Sequence, residues 1–181
     1  MRCSAVLLAG GKSTRMGRDK ALLEIEGEPL WRRQLATLRQ LSPEQLMISG
    51  PERDGAEAVA DEIENAGPLA GVAAALRKCT APLLIVLAVD LPRMTAEFLQ
   101  SLLNLCRDGR GAVPRGREFF EPLAAIYPSN CVPLAEVALR RGDFAMHNFV
   151  RTAVNQKLLM PRLISAEESA LFANLNTPAD L

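Results

Sequence analysis

The chain has 181 residues, with 21 lysines and arginines against 21 aspartates and glutamates, so no global field draws it to nucleic acid or an anionic membrane. Aromatics make up 4% of the residues, too few for a platform that stacks single-stranded bases. Any electrostatic function has to be local.

A length of this order suits one domain that buries roughly 68–70% of its unfolded surface. Cys3, Cys79, Cys106 and Cys131 stand in apolar or helical contexts with no C-x-x-C pair, and His147 is the single histidine, which leaves no zinc pattern and predicts buried, reduced thiols. The sequence enters a strand directly, without a basic and apolar leader, and no apolar run reaches about 18 residues. These features predict a cytoplasmic protein that neither crosses nor needs a membrane.

Residues 3–8 form a short apolar strand that runs into Gly10 and Gly11. A loop follows with four cations, Lys12, Arg15, Arg18 and Lys20, against one acid, Asp19. Adjacent glycines let consecutive backbone N–H groups approach phosphate oxygens, and the cations neutralise charge beyond the backbone's reach. A triphosphate fits such a loop. It is not a Walker A loop, because Val6 stands where that motif needs its first glycine. Nor is it a dinucleotide fingerprint, because Gly10 and Gly11 are adjacent and the next glycine is Gly17.

Residues 22–25 predict a short extended piece closed by Glu26-Gly27-Glu28, with Pro29 at the first position of a helix over 30–41 whose apolar residues recur at helical spacing. Trp31 belongs to its core face. Strands are predicted at 45–49, ending on Gly50-Pro51, and at 58–60, leading to Asp61. A helix over 69–78 carries a face of small residues, Ala70, Gly71, Ala73, Ala74 and Ala75. The run 83–89 has no period-two alternation and predicts the central strand, covered on both faces. It delivers Asp90 at its carboxyl end, followed by Leu91-Pro92 and a helix over 96–106 capped by Thr95.

Further strands are predicted at 112–115 and 123–127, helices at 132–141 and 145–152, and a late strand at 157–164 kept near an edge by Pro161. Alternating strands and helices predict a single-domain three-layer α/β/α sandwich over residues 1–181, with a mostly parallel sheet. In such sheets ligands bind outside the carboxyl ends of the strands, where Gly10, Gly11 and Asp90 converge.

The string Leu8-Ala9-Gly10-Gly11-x-Ser13-x-Arg15-Met16-Gly17-x-Asp19-Lys20 resembles the signature loop of the MobA-type molybdenum cofactor guanylyltransferases. Gly67-Pro68-Leu69-Ala70-Gly71, Asp90-Leu91-Pro92 and Asn174-Leu175-Asn176-Thr177-Pro178-Ala179-Asp180-Leu181 follow in the family's order. The resemblance implies a Rossmann-like nucleotidyltransferase fold and transfer of GMP from GTP to the terminal phosphate of molybdenum-molybdopterin, with Mg²⁺ as cofactor. It also suggests cofactor-delivery or molybdoenzyme proteins as further partners.

On that reading the backbone of Leu8, Ala9, Gly10 and Gly11 contacts base and phosphate, Arg15 meets the β and γ phosphates, and Lys20 meets charge near the α-phosphate. Asp90 holds Mg²⁺, a hard cation suited to carboxylate oxygen, and Asp61 recognises guanine. Ser49 is a further nucleotide contact, standing where the family commonly has asparagine. Cytidylyl-transferring relatives tend to carry alanine in place of Gly10, so the missing methyl implies room for a purine. Two alternatives stay open: a CTP- or sugar-phosphate-dependent transferase, and a non-catalytic nucleotide- or cofactor-binding module. Arg140 and Arg141 are a solvated helix end or an addition to an acceptor phosphate site.

Overall fold

The structure, a computed structural model, describes residues 2–10, 20–60, 66–107 and 109–175. In chain order it contains β1 (Cys3–Leu8), β2 (Glu24–Ile25), β3 (Glu28–Pro29), α1 (Leu30–Arg39), β4 (Gln45–Ser49), β5 (Glu57–Val59), α2 (Pro68–Lys78), β6 (Leu83–Ala88), α3 (Ala96–Leu103), β7 (Gly111–Arg115), β8 (Ala124–Pro128), α4 (Val132–Arg140), α5 (Met146–Asn155) and β9 (Leu159–Leu163). Seven strands form one sheet in the order β5-β4-β1-β6-β8-β7-β9, with β6 at its centre. Within it β8 runs antiparallel to both neighbours, and β2 and β3 make a separate antiparallel ribbon. The predicted mostly parallel α/β architecture is the one observed.

Successive side chains of a strand point to opposite faces, and here both faces are apolar. Ala5, Leu7, Leu83, Ile85 and Leu87 join a core with Leu30, Leu35 and Leu38 of α1 and Leu99 and Leu102 of α3. Val6, Leu8, Leu84 and Val86 join the opposite core with α2, α4 and α5. Every residue of β1 and β6 is buried. The small face of α2 lets that helix lie close: a Cβ added at Gly71 would stand 2.5 Å from Ser49 Oγ and 3.2 Å from Leu8 Cδ2.

All five helices differ from their sequence-based bounds by one to three residues at one end or both, and at α1 and α3 the hydrogen bonds give the reason. Pro29 is an extended N-cap (φ −60°, ψ 140°) rather than the first helical residue, because it pairs with Glu24 in the ribbon and the Leu30 N–H donates to Leu23 O at 2.8 Å. α3 stops at Leu103 because the next residues close tighter turns, Leu105 N–H to Leu102 O at 3.0 Å and Cys106 N–H to Leu103 O at 3.1 Å. Thr95 caps α3 as expected, accepting from the Phe98 N–H at 3.3 Å. Pro161 lies on the edge strand β9.

All four cysteines are free thiols, three of them buried and Cys79 partly so. Burial pushes the Cys106 and Cys131 thiols up to about 11 and about 12, which keeps them protonated and unreactive. Among the described residues no helix is long and apolar enough to cross a membrane.

A latch ties the end of the described chain to the sheet. Arg162 of β9 donates to both carboxylate oxygens of Glu168, at 2.9 and 2.6 Å, and lies 4.6 Å over the Phe98 ring, which meets Phe172 edge-on at 5.2 Å. The Arg162 guanidinium, then the Ser165 N–H, hold the Glu168 carboxyl down at about 2. A carboxylate with a depressed folded-state pKa adds stability above its ordinary value of 4.5 and loses it as pH falls toward about 2. Glu168→Gln is therefore expected to lower the melting temperature at neutral pH and to flatten its fall between pH 4.5 and 2. Parallel wild-type and variant melting curves across that window check it, and superimposable pH profiles would remove the latch from the stability of the fold.

Candidate active site

β1 pairs with β6 in parallel register, Leu8 opposite Ala88, and with β4, Leu8 opposite Ser49. Two residues past Leu8 is Gly10; two past Ala88 is Asp90. The register therefore brings both to one crest of the sheet. The Ala9 N–H donates to Ser49 O at 2.8 Å and the Val89 N–H to Leu8 O at 3.0 Å, so the three strand ends stay laced together beyond the strands themselves. Leu8 and Ala9 are buried, whereas Gly10 is exposed.

Gly50 is a structural requirement that the sequence reading takes only as half of a turn signal. Its φ is +134°, and a Cβ there would stand 2.7 Å from Gly10 N and 2.9 Å from the Ala9 carbonyl carbon. Only glycine lets β4 leave the sheet against the backbone of the β1 loop. Gly10 is the reciprocal contact: its added Cβ would meet Gly50 Cα and Ser49 O, each at 3.3 Å. The missing methyl thus clears room first for the neighbouring backbone. Ser49 is 3% exposed, with its side chain packed toward Gly71 of α2.

On the same crest Lys20, in a 3₁₀ turn over Lys20–Leu22, places Nζ 3.6 Å from Asp90 Oδ2, with both side chains about a quarter exposed. Lys20 and Asp90 are 70 positions apart in sequence, and the fold makes them an ion pair open to solvent. Gly11, Arg15 and Asp61 lie outside the described residues, as do residues 176–181. Arg140 pairs with Glu136 at 3.6 Å on the surface of α4, the behaviour of a solvated helix end.

Beside Asp90 opens a cleft of about 410 Å³, whose wall includes Phe119, Phe120, Glu121, Met146, His147 and Asn174. The segment 116–123 forms much of it. β7 is parallel to β6 through its antiparallel partner β8, so the β7–β8 connection turns over at the same crest as Asp90. Tyr127, wholly buried, donates to Pro122 O at 2.7 Å, and the Glu121 N–H donates to Pro114 O at 2.9 Å. Phe119 is 63% exposed, with its ring 5.8 Å from that of His147. Burial raises the Glu121 carboxyl above its ordinary value.

The sequence reading misses this wall. The available signal was two consecutive phenylalanines in a glycine-bounded loop of an aromatic-poor chain.

Asn174, from the C-terminal motif, also lines the cleft, and Leu175 is buried with its N–H donating to Asp90 O at 3.0 Å. No three His, Cys, Asp or Glu side chains cluster among the described residues. Mg²⁺ in phosphate-transfer sites is commonly held by one or two carboxylates plus substrate phosphates and water. The half-open Asp90 carboxylate, beside a lysine and at the mouth of a cleft, fits that donor set.

Residues 5–157 match the family described as MobA-like NTP transferase domain. This chain belongs to that family. A probable molybdenum cofactor guanylyltransferase of Opitutus terrae is 43% identical, over 98% of this chain and 92% of the relative. A molybdenum cofactor guanylyltransferase of Pseudomonas putida strain GB-1 is 30% identical over 97% of this chain and 94% of the relative. Among solved structures, the molybdopterin-guanine dinucleotide biosynthesis protein A of Archaeoglobus fulgidus superposes with a TM-score of 0.76 at 24% identity, covering 98% of this chain and 94% of that one. A 2-C-methyl-D-erythritol 4-phosphate cytidylyltransferase of Thermus thermophilus shares the fold at a TM-score of 0.71 and 18% identity, covering 97% of this chain and 93% of that one. The family is one of nucleotidyltransferases.

Gly50→Ala is expected to weaken nucleotide binding at least about tenfold and to lower stability, because the added carbon forces β4 and the β1 loop apart in a conformation disfavoured for alanine. Titration calorimetry with GTP and a thermal melt test it. Unchanged affinity would show that the Gly10–Gly50 contact lies outside the nucleotide site.

Proposed function

We propose that this protein transfers GMP from GTP to the terminal phosphate of molybdenum-loaded molybdopterin, releasing pyrophosphate and forming the guanine dinucleotide cofactor. The observation that carries the reading is the Lys20–Asp90 pair, 3.6 Å apart on the crest of the sheet and beside a cleft large enough for an acceptor. The relatives' names supply the acceptor and the base.

In this reading an acceptor phosphate oxygen attacks the α-phosphorus in line and the bond to the β-phosphate oxygen breaks. No covalent intermediate with the protein is needed, so catalysis is orientation and charge neutralisation. The backbone of Leu8, Ala9, Gly10 and Gly11, with Ser49 beneath, seats the nucleotide. Arg15 holds the β and γ phosphates. Lys20 exchanges its partner, leaving Asp90 for the oxygens around the α-phosphorus. Asp90 would then hold Mg²⁺, which would neutralise phosphate charge.

Asp61 accepts from the ring N–H and exocyclic amine of guanine, a pattern that would face an acceptor nitrogen in adenine. The acceptor enters by the cleft between Phe119 and Asn174. The free thiols suit the reducing cytoplasm as the place of action, with cofactor-delivery or molybdoenzyme proteins as recipients.

Incubation of the protein with Mg²⁺, molybdopterin and each of the four nucleoside triphosphates, with products identified by mass, tests the whole reading. GTP is expected to give the dinucleotide and the other triphosphates little. A cytidine product would instead assign the protein to CTP, and binding of GTP without any product would make it a binding module.

Lys20→Ala is expected to lower kcat about 100-fold with a much smaller change in KM for GTP, since charge near the reacting phosphorus counts most in the transition state. Steady-state kinetics separate the two constants. A rise in KM with kcat untouched would make Lys20 a simple binding group.

A further inference from the structure

Gln34 stands in the middle of α1 with no exposed surface, on the helix face that also carries Leu30, Leu35 and Leu38 into the core. Its Nε2 donates to the Leu91 carbonyl, and its Oε1 is buried with no partner among the described residues. The amide has one productive orientation, because reversing it would set two oxygens face to face. A buried amide with an unused acceptor is costly, and an apolar side chain of the same reach would avoid that cost. What the glutamine provides is the bond to Leu91.

Leu91 directly follows Asp90. Where the chain leaves β6, the Leu91 N–H reaches Ala88 O only at 3.4 Å, so β6 itself holds this turn loosely. Locally the Met94 N–H donates to Leu91 O at 3.0 Å, and two bonds from distant parts of the chain add to it: the Leu175 N–H donates to Asp90 O at 3.0 Å from one side, and Gln34 reaches the same Leu91 O from the other. Lys20 is referenced to the same helix. The Leu23 N–H donates to Lys20 O at 3.1 Å, the Leu30 N–H donates to Leu23 O at 2.8 Å, and Ala21 is sealed in the core. α1 therefore sets both members of the ion pair against one rigid body.

We propose that Gln34 is a positioning residue, whose amide bond to the Leu91 carbonyl holds the turn that aims the Asp90 carboxylate at the metal and the reacting phosphates. The inference rests on the proposed metal role of Asp90. Gln34 touches neither substrate nor metal, and acts through the backbone of the Asp90 turn. Groups that orient metal ligands in this way typically change affinity or activity by about 10–100-fold when removed.

The test compares Gln34→Met, which keeps reach and apolar packing, and Gln34→Glu, which keeps shape but turns an oxygen toward Leu91 O, with wild type and Asp90→Asn. Mn²⁺ affinity of the protein–GTP complex, read by electron paramagnetic resonance, is expected to fall about tenfold in both Gln34 variants and further in Asp90→Asn. kcat should fall alongside and recover in part at high Mg²⁺, while KM for GTP stays within about twofold. Lower melting temperatures with unchanged Mn²⁺ affinity in either Gln34 variant that folds would make Gln34 a core residue only and overturn the inference. Unchanged Mn²⁺ affinity in Asp90→Asn would instead overturn the metal role itself, and this inference with it.

Discussion

The parallel pairing of β1 with β6, Leu8 opposite Ala88, is the constraint on which the rest of this molecule depends. Both strands are buried on both faces, so their side chains cannot slip by one residue without exchanging two well-packed cores. Fixed register fixes the ends. Gly10 and Asp90 each emerge two residues past a paired position and share a crest without any direct bond between them. The Val89 N–H to Leu8 O bond carries the lacing one step further, to the brink of the site.

Polar groups then refine what the apolar core has placed roughly. The Asp90 turn is held by two bonds from distant parts of the chain, Gln34 on α1 and Leu175 near the C-terminus. The second depends on the Arg162–Glu168 pair and the Phe98–Phe172 contact, which bring the tail back across α3. A carboxylate on a free turn would sample many directions. Here its backbone is clamped from both sides and the side chain keeps its freedom to change partners.

β8 explains the cleft. A helical crossover after β7 would have carried the chain to the far end of the sheet. Instead the chain doubles back at the crest and inserts β8 between β6 and β7, leaving 116–123 beside Asp90. Gly111 makes the insertion possible, because a Cβ there would overlap the Ile126 carbonyl oxygen. Tyr127 then anchors the loop from below through Pro122. The aromatic wall follows from a strand reversal, and it sits on the side of Asp90 away from the glycine loop of β1.

Much of this was legible in the residues. The run 83–89 announced a doubly covered central strand by having no alternation. Gly10-Gly11 with the following cations reads as an anion loop, most of which lies outside the described residues, and Asp90 after the central strand stands on the crest beside Lys20. These are local signals, set by side-chain hydrophobicity, backbone freedom and charge within a few positions. Arg15, Gly11 and Asp61 belong to the same reading but lie outside the described residues, so the described site adds nothing to their assignment. Tertiary structure alone decided that Lys20 pairs with Asp90, that Gly50 must admit the backbone of Gly10, that Gln34 reaches Leu91, and that Phe119 and His147 pack together in the wall of a cleft. Each of those is a contact between segments far apart in the chain, and only the sheet order and its register specify which segments meet.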